Sequence, residues 1–151
     1  MEGPHLVSFK LVEDNRGCFG KTYMNEYFDT KESFYSKSKR GVLRGMHYQV
    51  ATEKVVCAMG GDVLDVCLDL ETGEVREFLL YEGLGVYVPL GWAHGFQAIT
   101  DATLIYYASR EYAPGEDYGV RWDSFGYEWP MEPILSERDR DHPLFFGAGY
   151  L

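Results

Sequence analysis

An all-β domain, a sandwich or barrel of short strands, is the fold class this sequence predicts, and three observations carry it. Short apolar runs follow one another closely along most of the chain. Glycines and acidic turn residues separate them. Almost no stretch repeats with the 3.6-residue period of an amphipathic helix.

Taken in order, the first well-defined run is "GVLRGMHYQV", residues 41–50, followed by "KVVCAM", residues 54–59. Gly60-Gly61 forms a turn pair, and "DVLDVCLDL" then places Leu64, Val66, Leu68 and Leu70 on one strand face. Asp65 and Asp69 share the other face with Val63 and Cys67, so this strand is expected to lie between a core and something wetter. "ETGE", residues 71–74, turns the chain into "VREFLLYE", and Leu84-Gly85 leads into "VYVP". "HGFQAIT" and "ATLIYYAS" follow, parted by a turn at Asp101. The tail "SFGYEWPMEPILSERDRDHP" holds three of the six prolines and reads as loop, with a helical turn around Ser136 to Asp139.

A chain of 151 residues, 46% hydrophobic, makes one domain with a real core, and no linker or repeat divides it. Its 14 basic and 24 acidic residues leave a net charge of −10, a field that repels nucleic acid and anionic membranes. Local cations in a cleft still admit a small anion, because distant charges are screened. Cys18, Cys57 and Cys67 form no CxxC or finger spacing, and the last two sit in apolar runs as buried thiols. The N-terminus does not read as a signal peptide and no apolar stretch is long enough to span a bilayer, which gives the expectation of a cytoplasmic protein.

Four histidines and a cluster of cations stand out. His5 and His142 lie near the termini and are expected at the surface. His47 and His94 lie in or beside strands with aromatic neighbours, and Lys37, Lys39, Arg40 and Arg44 crowd into eight residues just before His47. "GVYVPLGWAHGFQ", residues 85–97, has the spacing Gly-x3-Pro-x-Gly-x2-His and resembles the second signature of the cupin superfamily of jelly rolls. The matching first strand, "MHYQV", holds one histidine and no HxH pair, so no metal is expected.

"SKSKRGVLRGMHYQ" with "KVV", "GDVLDVCLDL", "VPLGWAHGF", "LIYYASREYAPG", "GVRWD" and "LSERDRDHP" together resemble the nucleotide-sugar 3,5-epimerases, from about Phe9 to Pro143. The resemblance implies a cupin-type jelly roll and a cofactor-independent isomerase. Its substrate would be a nucleotide-diphosphate 4-keto-6-deoxy sugar, inverted at C3, C5 or both through an enolate. Such chemistry needs a base, an acid across the ring and a stabiliser for the ketone oxygen. By resemblance, His47 is the base, Asp139 orients it, Lys54 meets the oxyanion and Tyr106 is the acid. Arg44 and Arg16 match arginines that contact the substrate and its nucleotide. Phe19, Gln49, His94, Tyr112 and Arg138 match further substrate-binding positions. A homodimer with an exchanged N-terminal strand is also implied.

One requirement follows from strand geometry. Regular alternation sets Arg44 and His47 on opposite faces, so both reach one cavity only if a bulge falls between them, for which Gly45 is suited.

The sequence departs from the family mainly at the nucleotide end. A usual Gln-Asp-Asn run reads Glu32-Ser33-Phe34, and an N-terminal glutamate is Lys21. These changes leave open a GDP- or CDP-linked sugar, inversion at a single centre, or a jelly roll that binds sugar nucleotides without turning them over. A metal-dependent cupin is the remaining alternative and lacks the HxH pair.

Overall fold

The structure, a computed structural model, describes residues 2–147. Twelve strands and one short helix are present among them. β1 (His5–Ser8), β2 (Leu11–Asp14), β3 (Gly17–Gly20) and β4 (Glu32–Ser38) lead into β5 (Leu43–Tyr48), β6 (Lys54–Gly60) and β7 (Val63–Asp69). β8 (Val75–Leu80), β9 (Leu84–Val88), β10 (Trp92–Ala98), β11 (Ala102–Ala108) and β12 (Tyr118–Gly119) follow, with α1 at Glu137–Arg140.

Two antiparallel five-stranded sheets form a jelly-roll sandwich, one in the order β1-β9-β6-β11-β4 and the other β12-β5-β10-β7-β8. β2 and β3 make a separate hairpin. The turns fall where glycine marks them. Gly61 adopts φ +75°, and a Cβ there would lie 2.0 Å from the Asp101 carbonyl oxygen, so only glycine lets the β6–β7 turn pass this close.

Three apolar layers hold the sandwich together. Val56, Val63, Cys67, Leu80, Val86, Phe96 and Leu104 pack between the sheets. Val66, Leu68 and Leu70, by contrast, face outward and are covered by Phe125, Tyr127, Trp129 and Phe145 of the C-terminal tail. Tyr23 and Phe28, in the loop after β3, cover the other sheet through Val55, Cys57 and Tyr87.

The β7 expectation is thereby refined: its polar face is the interior of the sandwich, and its leucine face is roofed by the tail. Asp65 is fully buried there. The tail's helical turn is α1, capped by the Ser136 hydroxyl, which accepts from the Asp139 amide. Cys57 and Cys67 are buried as expected, and Cys18 is exposed. No helix among the described residues is long and apolar enough to cross a membrane.

Candidate active site

The pairing of β5 with β10 sets the geometry of the site. His47 stands opposite His94, but Arg44 stands opposite Phe96, so three steps on β5 match two on β10. β5 thus carries an extra residue in the Gly45-Met46 segment, the bulge that the Arg44–His47 spacing requires. Gly45 has φ +152°, and a Cβ on it would sit 2.7 Å from the Gly95 Cα. The Gly45–Met46 peptide is cis.

As a result Arg44 and His47 line one cavity of about 230 Å³. Lys54 from β6, His94 from β10 and Tyr106 from β11 complete it with Phe34, Ser36 and Phe96. Five of the residues singled out in the sequence therefore meet in one place. Base and acid candidates come from different sheets: His47 projects from β5, and Lys54 and Tyr106 from β6 and β11.

Each polar wall has a partner behind it. The Asp139 carboxylate accepts from His47 Nε2 at 2.6 Å through Oδ1 and from the Gly45 amide at 3.2 Å through Oδ2. Burial opposes its ionisation. The hydrogen bond from His47, that residue's charge and the Gly45 and His142 contacts nevertheless hold it below the usual carboxylate range. An ionised carboxylate only accepts, so Nε2 of His47 carries a hydrogen, and in the neutral imidazole Nδ1 is the nitrogen with the lone pair.

Lys54, at the head of β6, is pushed down to about 8 by burial, against the charge of Asp117. Burial also pushes the Tyr106 phenol up to about 12, opposed by Ser36, whose Oγ lies 2.8 Å from the phenol oxygen. Phe34 stacks on the Tyr106 ring, with centroids 4.7 Å apart. His94 Nε2 donates to the buried Asp65 carboxylate at 2.6 Å. The Arg44 guanidinium donates to Ser38 Oγ at 2.9 Å and to the Lys37 carbonyl. Lys37, Lys39 and Arg40 are solvated.

A second groove opens beside the first, and Phe34 and Lys54 line both. It contains Gln49, Arg110 and the 59% exposed Tyr112. Gln49 and Arg138 both donate to Asp117, at 2.5 and 2.7 Å. Arg16 and Phe19 line neither of these two spaces. They line a separate groove on the β2–β3 hairpin, where Arg16 pairs with Asp14 and Phe19 is 64% exposed.

One sequence expectation is overturned. His142 is not a surface residue: its side chain is only 7% exposed, and Nε2 donates to Asp139 Oδ1 at 3.0 Å. The tail folds back over β5 and β12, which sequence position alone does not reveal. Asp117, Asp65 and Ser36 were also missed, because each gains its meaning only from a cross-strand or loop partner. His47, Asp139 and His142 bring one donor atom each within 4.8 Å of one another, a grouping able to hold a metal ion, and in the structure these contacts are hydrogen bonds.

The two-sheet sandwich with its interior cavity places the chain among the jelly-roll proteins. Residues 1–146 match the sequence model of the dTDP-4-dehydrorhamnose 3,5-epimerases, and the chain belongs to that family. It is 38% identical over 166 residues to the dTDP-4-dehydrorhamnose 3,5-epimerase of Streptomyces griseus, covering 95% of this chain and 82% of that one. With the Pseudomonas aeruginosa enzyme of the same name it shares 32% identity over 169 residues, covering 96% and 93% of the two chains.

Among solved structures, the dTDP-4-dehydrorhamnose 3,5-epimerase of Sulfolobus tokodaii superposes with a TM-score of 0.87 at 30% identity, covering 95% of this chain and 90% of that one. A 3'-monoepimerase from Streptomyces bikiniensis, in complex with dTDP-quinovose, gives a TM-score of 0.86 at 28% identity, covering 95% and 84%.

Proposed function

We propose that this chain is an isomerase that epimerises a dTDP-linked 4-keto-6-deoxy sugar at C3, C5 or both, by deprotonation and reprotonation through an enolate. One observation carries the proposal: His47 on one sheet and Lys54 with Tyr106 on the other line a single cavity. A sugar ring between the sheets has a base on one face and an acid on the other, which inversion demands.

In this reading Nδ1 of His47 removes the hydrogen next to the ketone, and Asp139 supports the imidazolium that forms. The Lys54 ammonium meets the negative charge that develops on the ketone oxygen. Tyr106 returns a proton to the carbon from the opposite face. Protons balance over the turnover when solvent resets the base and the acid. No redox step occurs, so the chemistry needs no cofactor.

Arg44 at the cavity rim is suited to the substrate diphosphate, with His94 a polar wall of the sugar site. Gln49, Tyr112 and Arg138 line or flank the adjoining groove, where the nucleotide end would lie. Arg16 and Phe19 fit a further proposal, a homodimer of this single domain. In it the N-terminal segment reaches across, and the exposed Val12 and Phe19 on the hairpin support an intermolecular role. Deleting residues 1–23 is expected to weaken dimerisation in sedimentation velocity, and an unchanged dimer would refute the exchange. Three free thiols fit a reducing, cytoplasmic setting.

The central test is solvent deuterium incorporation. The enzyme is incubated in D2O with 4-keto-6-deoxy sugars linked to dTDP, GDP and CDP, and C3 and C5 are read by NMR. Exchange with the dTDP sugar, abolished by His47→Ala, is the expected result and identifies the centre inverted. Binding without exchange at either carbon would instead support a non-catalytic sugar-nucleotide-binding jelly roll.

A further inference from the structure

We propose that His142 is a positioning residue of the site, the third member of a His47–Asp139–His142 array, fixing the Asp139 carboxylate so that His47 stays in its base-competent tautomer. The inference rests on the reading of His47 as the base.

The geometry is asymmetric in a way that needs a third group. Asp139 Oδ2 has a single partner among the described contacts, the Gly45 amide, at a long 3.2 Å. Oδ1 receives two, His47 Nε2 at 2.6 Å and His142 Nε2 at 3.0 Å. The last torsion of an aspartate is broad and nearly two-fold, so a carboxylate held at one good contact swings readily. A second donor on Oδ1, held three residues further along the same turn as the carboxylate, restrains that freedom. His142 also packs its ring against the His47 ring, with centroids 5.4 Å apart and planes at 80°. The two imidazoles thus restrain each other directly as well as through the carboxylate.

The fold makes room for this ring at a cost elsewhere. Gly119 on β12 pairs with His47 on β5, and a Cβ at Gly119 would fall 2.2 Å from the His142 ring. His142 follows the end of α1, whose cap at Ser136 fixes the turn that delivers both Asp139 and His142. A ring merely filling space would need no polar atom here. This one points Nε2 at the catalytic carboxylate.

The charge balance agrees. Burial, and then the charge of His47, push the His142 imidazole below its ordinary value, while Asp139 opposes them and Arg138 adds to them. The lowered value favours the neutral imidazole, which still donates through Nε2. The other charged or titratable groups around the pair are Asp117 before β12, and Arg44, Lys54, His94 and Tyr106 around the cavity.

The test combines kinetics with ¹⁵N NMR of histidine-labelled full-length protein. In the wild type, His47 and His142 are both expected as Nε2–H tautomers near pH 8. His142→Leu removes the donor and is expected to lower kcat about 10- to 100-fold, the range typical when the hydrogen-bond partners behind metal-ligating histidines are lost, with KM changed less than about two-fold. The His47 signal of this variant should become a mixture of tautomers. His142→Gln, whose amide nitrogen can take the place of Nε2, should restore kcat to within about three-fold of wild type.

A Leu variant with wild-type kcat and a single His47 tautomer would overturn the proposal, as would a Gln variant no better than Leu. Should the Leu variant not fold, the wild-type spectrum decides: an Nδ1–H tautomer at His142 means it does not donate to Asp139. The tautomer measurement needs no substrate. A protein that shows the tautomer effect yet turns over no sugar nucleotide would refute the proposed function and leave the His142 array standing.

Discussion

His47 and His94 stand directly opposite each other on β5 and β10, and each imidazole donates through Nε2 to its own carboxylate at 2.6 Å. The two pairs differ in exposure. His47 is 30% exposed in its side chain against 7% for His94, and Asp65 is fully buried. In the proposed function the first pair exchanges protons with the ligand. In the same proposal the more buried second pair serves as a wall of the cavity.

That difference predicts opposite outcomes for two similar substitutions. Asp139→Asn should fold normally and lose about 10²- to 10⁴-fold in kcat, because an amide can present the wrong hydrogen-bonding atom to His47 and fix the wrong tautomer. Asp65→Ala should instead destabilise the protein by about 1–3 kcal/mol, since it leaves a buried imidazole donor without its partner. Chemical denaturation alongside turnover assays separates the two. A stable, active Asp65→Ala protein would contradict this account of the His94 pair.

Asp139 also predicts a pH dependence of stability. Its folded value is lowered, so it binds fewer protons folded than unfolded just below the usual carboxylate value. The stabilisation is present above about pH 4 and is lost as pH falls through the folded value. Melting temperature should therefore drop below about pH 4, and Asp139→Asn should flatten that drop. Equal slopes for the two proteins between pH 2 and 5 would show that other carboxylates dominate.

Tyr106→Phe isolates the second half of the reaction. The base remains, so a hydrogen can still be removed and a solvent deuteron returned on the His47 face. Deuterium should enter with retained configuration, and formation of the inverted sugar should fall at least about 100-fold. Loss of exchange and inversion together would mean that the phenol also assists deprotonation.

Gly45 is where backbone and chemistry meet. Its positive φ and the 2.7 Å approach of the Gly95 Cα leave no space for a methyl group. Gly45→Ala is expected to cost about 2 kcal/mol or more from strain and overpacking, and to lower activity further by moving the amide that supports Asp139. A variant with unchanged stability and kcat would mean that the bulge can form without glycine.

The strands were legible in the sequence because their apolar runs and glycine turns are local signals. The bulge was legible too, since Arg44 and His47 cannot otherwise share a cavity. The direction of β7 was not. Its leucine face looks like an ordinary interior, and only the tail residues Phe125, Tyr127 and Trp129 explain why it points outward. His142 was hidden for a similar reason: a histidine near the end of a chain gives no sign that the chain returns to the site. Asp117 reads as one more acid in an acidic protein until Gln49 and Arg138 converge on it.

Lys54 yields the prediction most directly tied to its surroundings. An ordinary lysine stays charged well beyond pH 9, but burial brings this one to about 8. In the proposed mechanism its charged form meets the enolate, so catalysis should fail as the ammonium loses its proton. Tyr106, near 12, remains protonated through that range and does not contribute. The profile of kcat/KM, which reports the free enzyme, should fall above about pH 8. Lys54→Arg keeps a cation at all accessible pH values and should remove that alkaline limb, even if its larger head lowers the plateau. Stability moves the other way. Between about pH 8 and the unfolded lysine value the unfolded chain binds more protons, so the wild type gains stability with rising pH, and Lys54→Met should abolish the gain. An alkaline limb that persists unchanged in Lys54→Arg would assign the titration to another group and remove Lys54 as the oxyanion's partner.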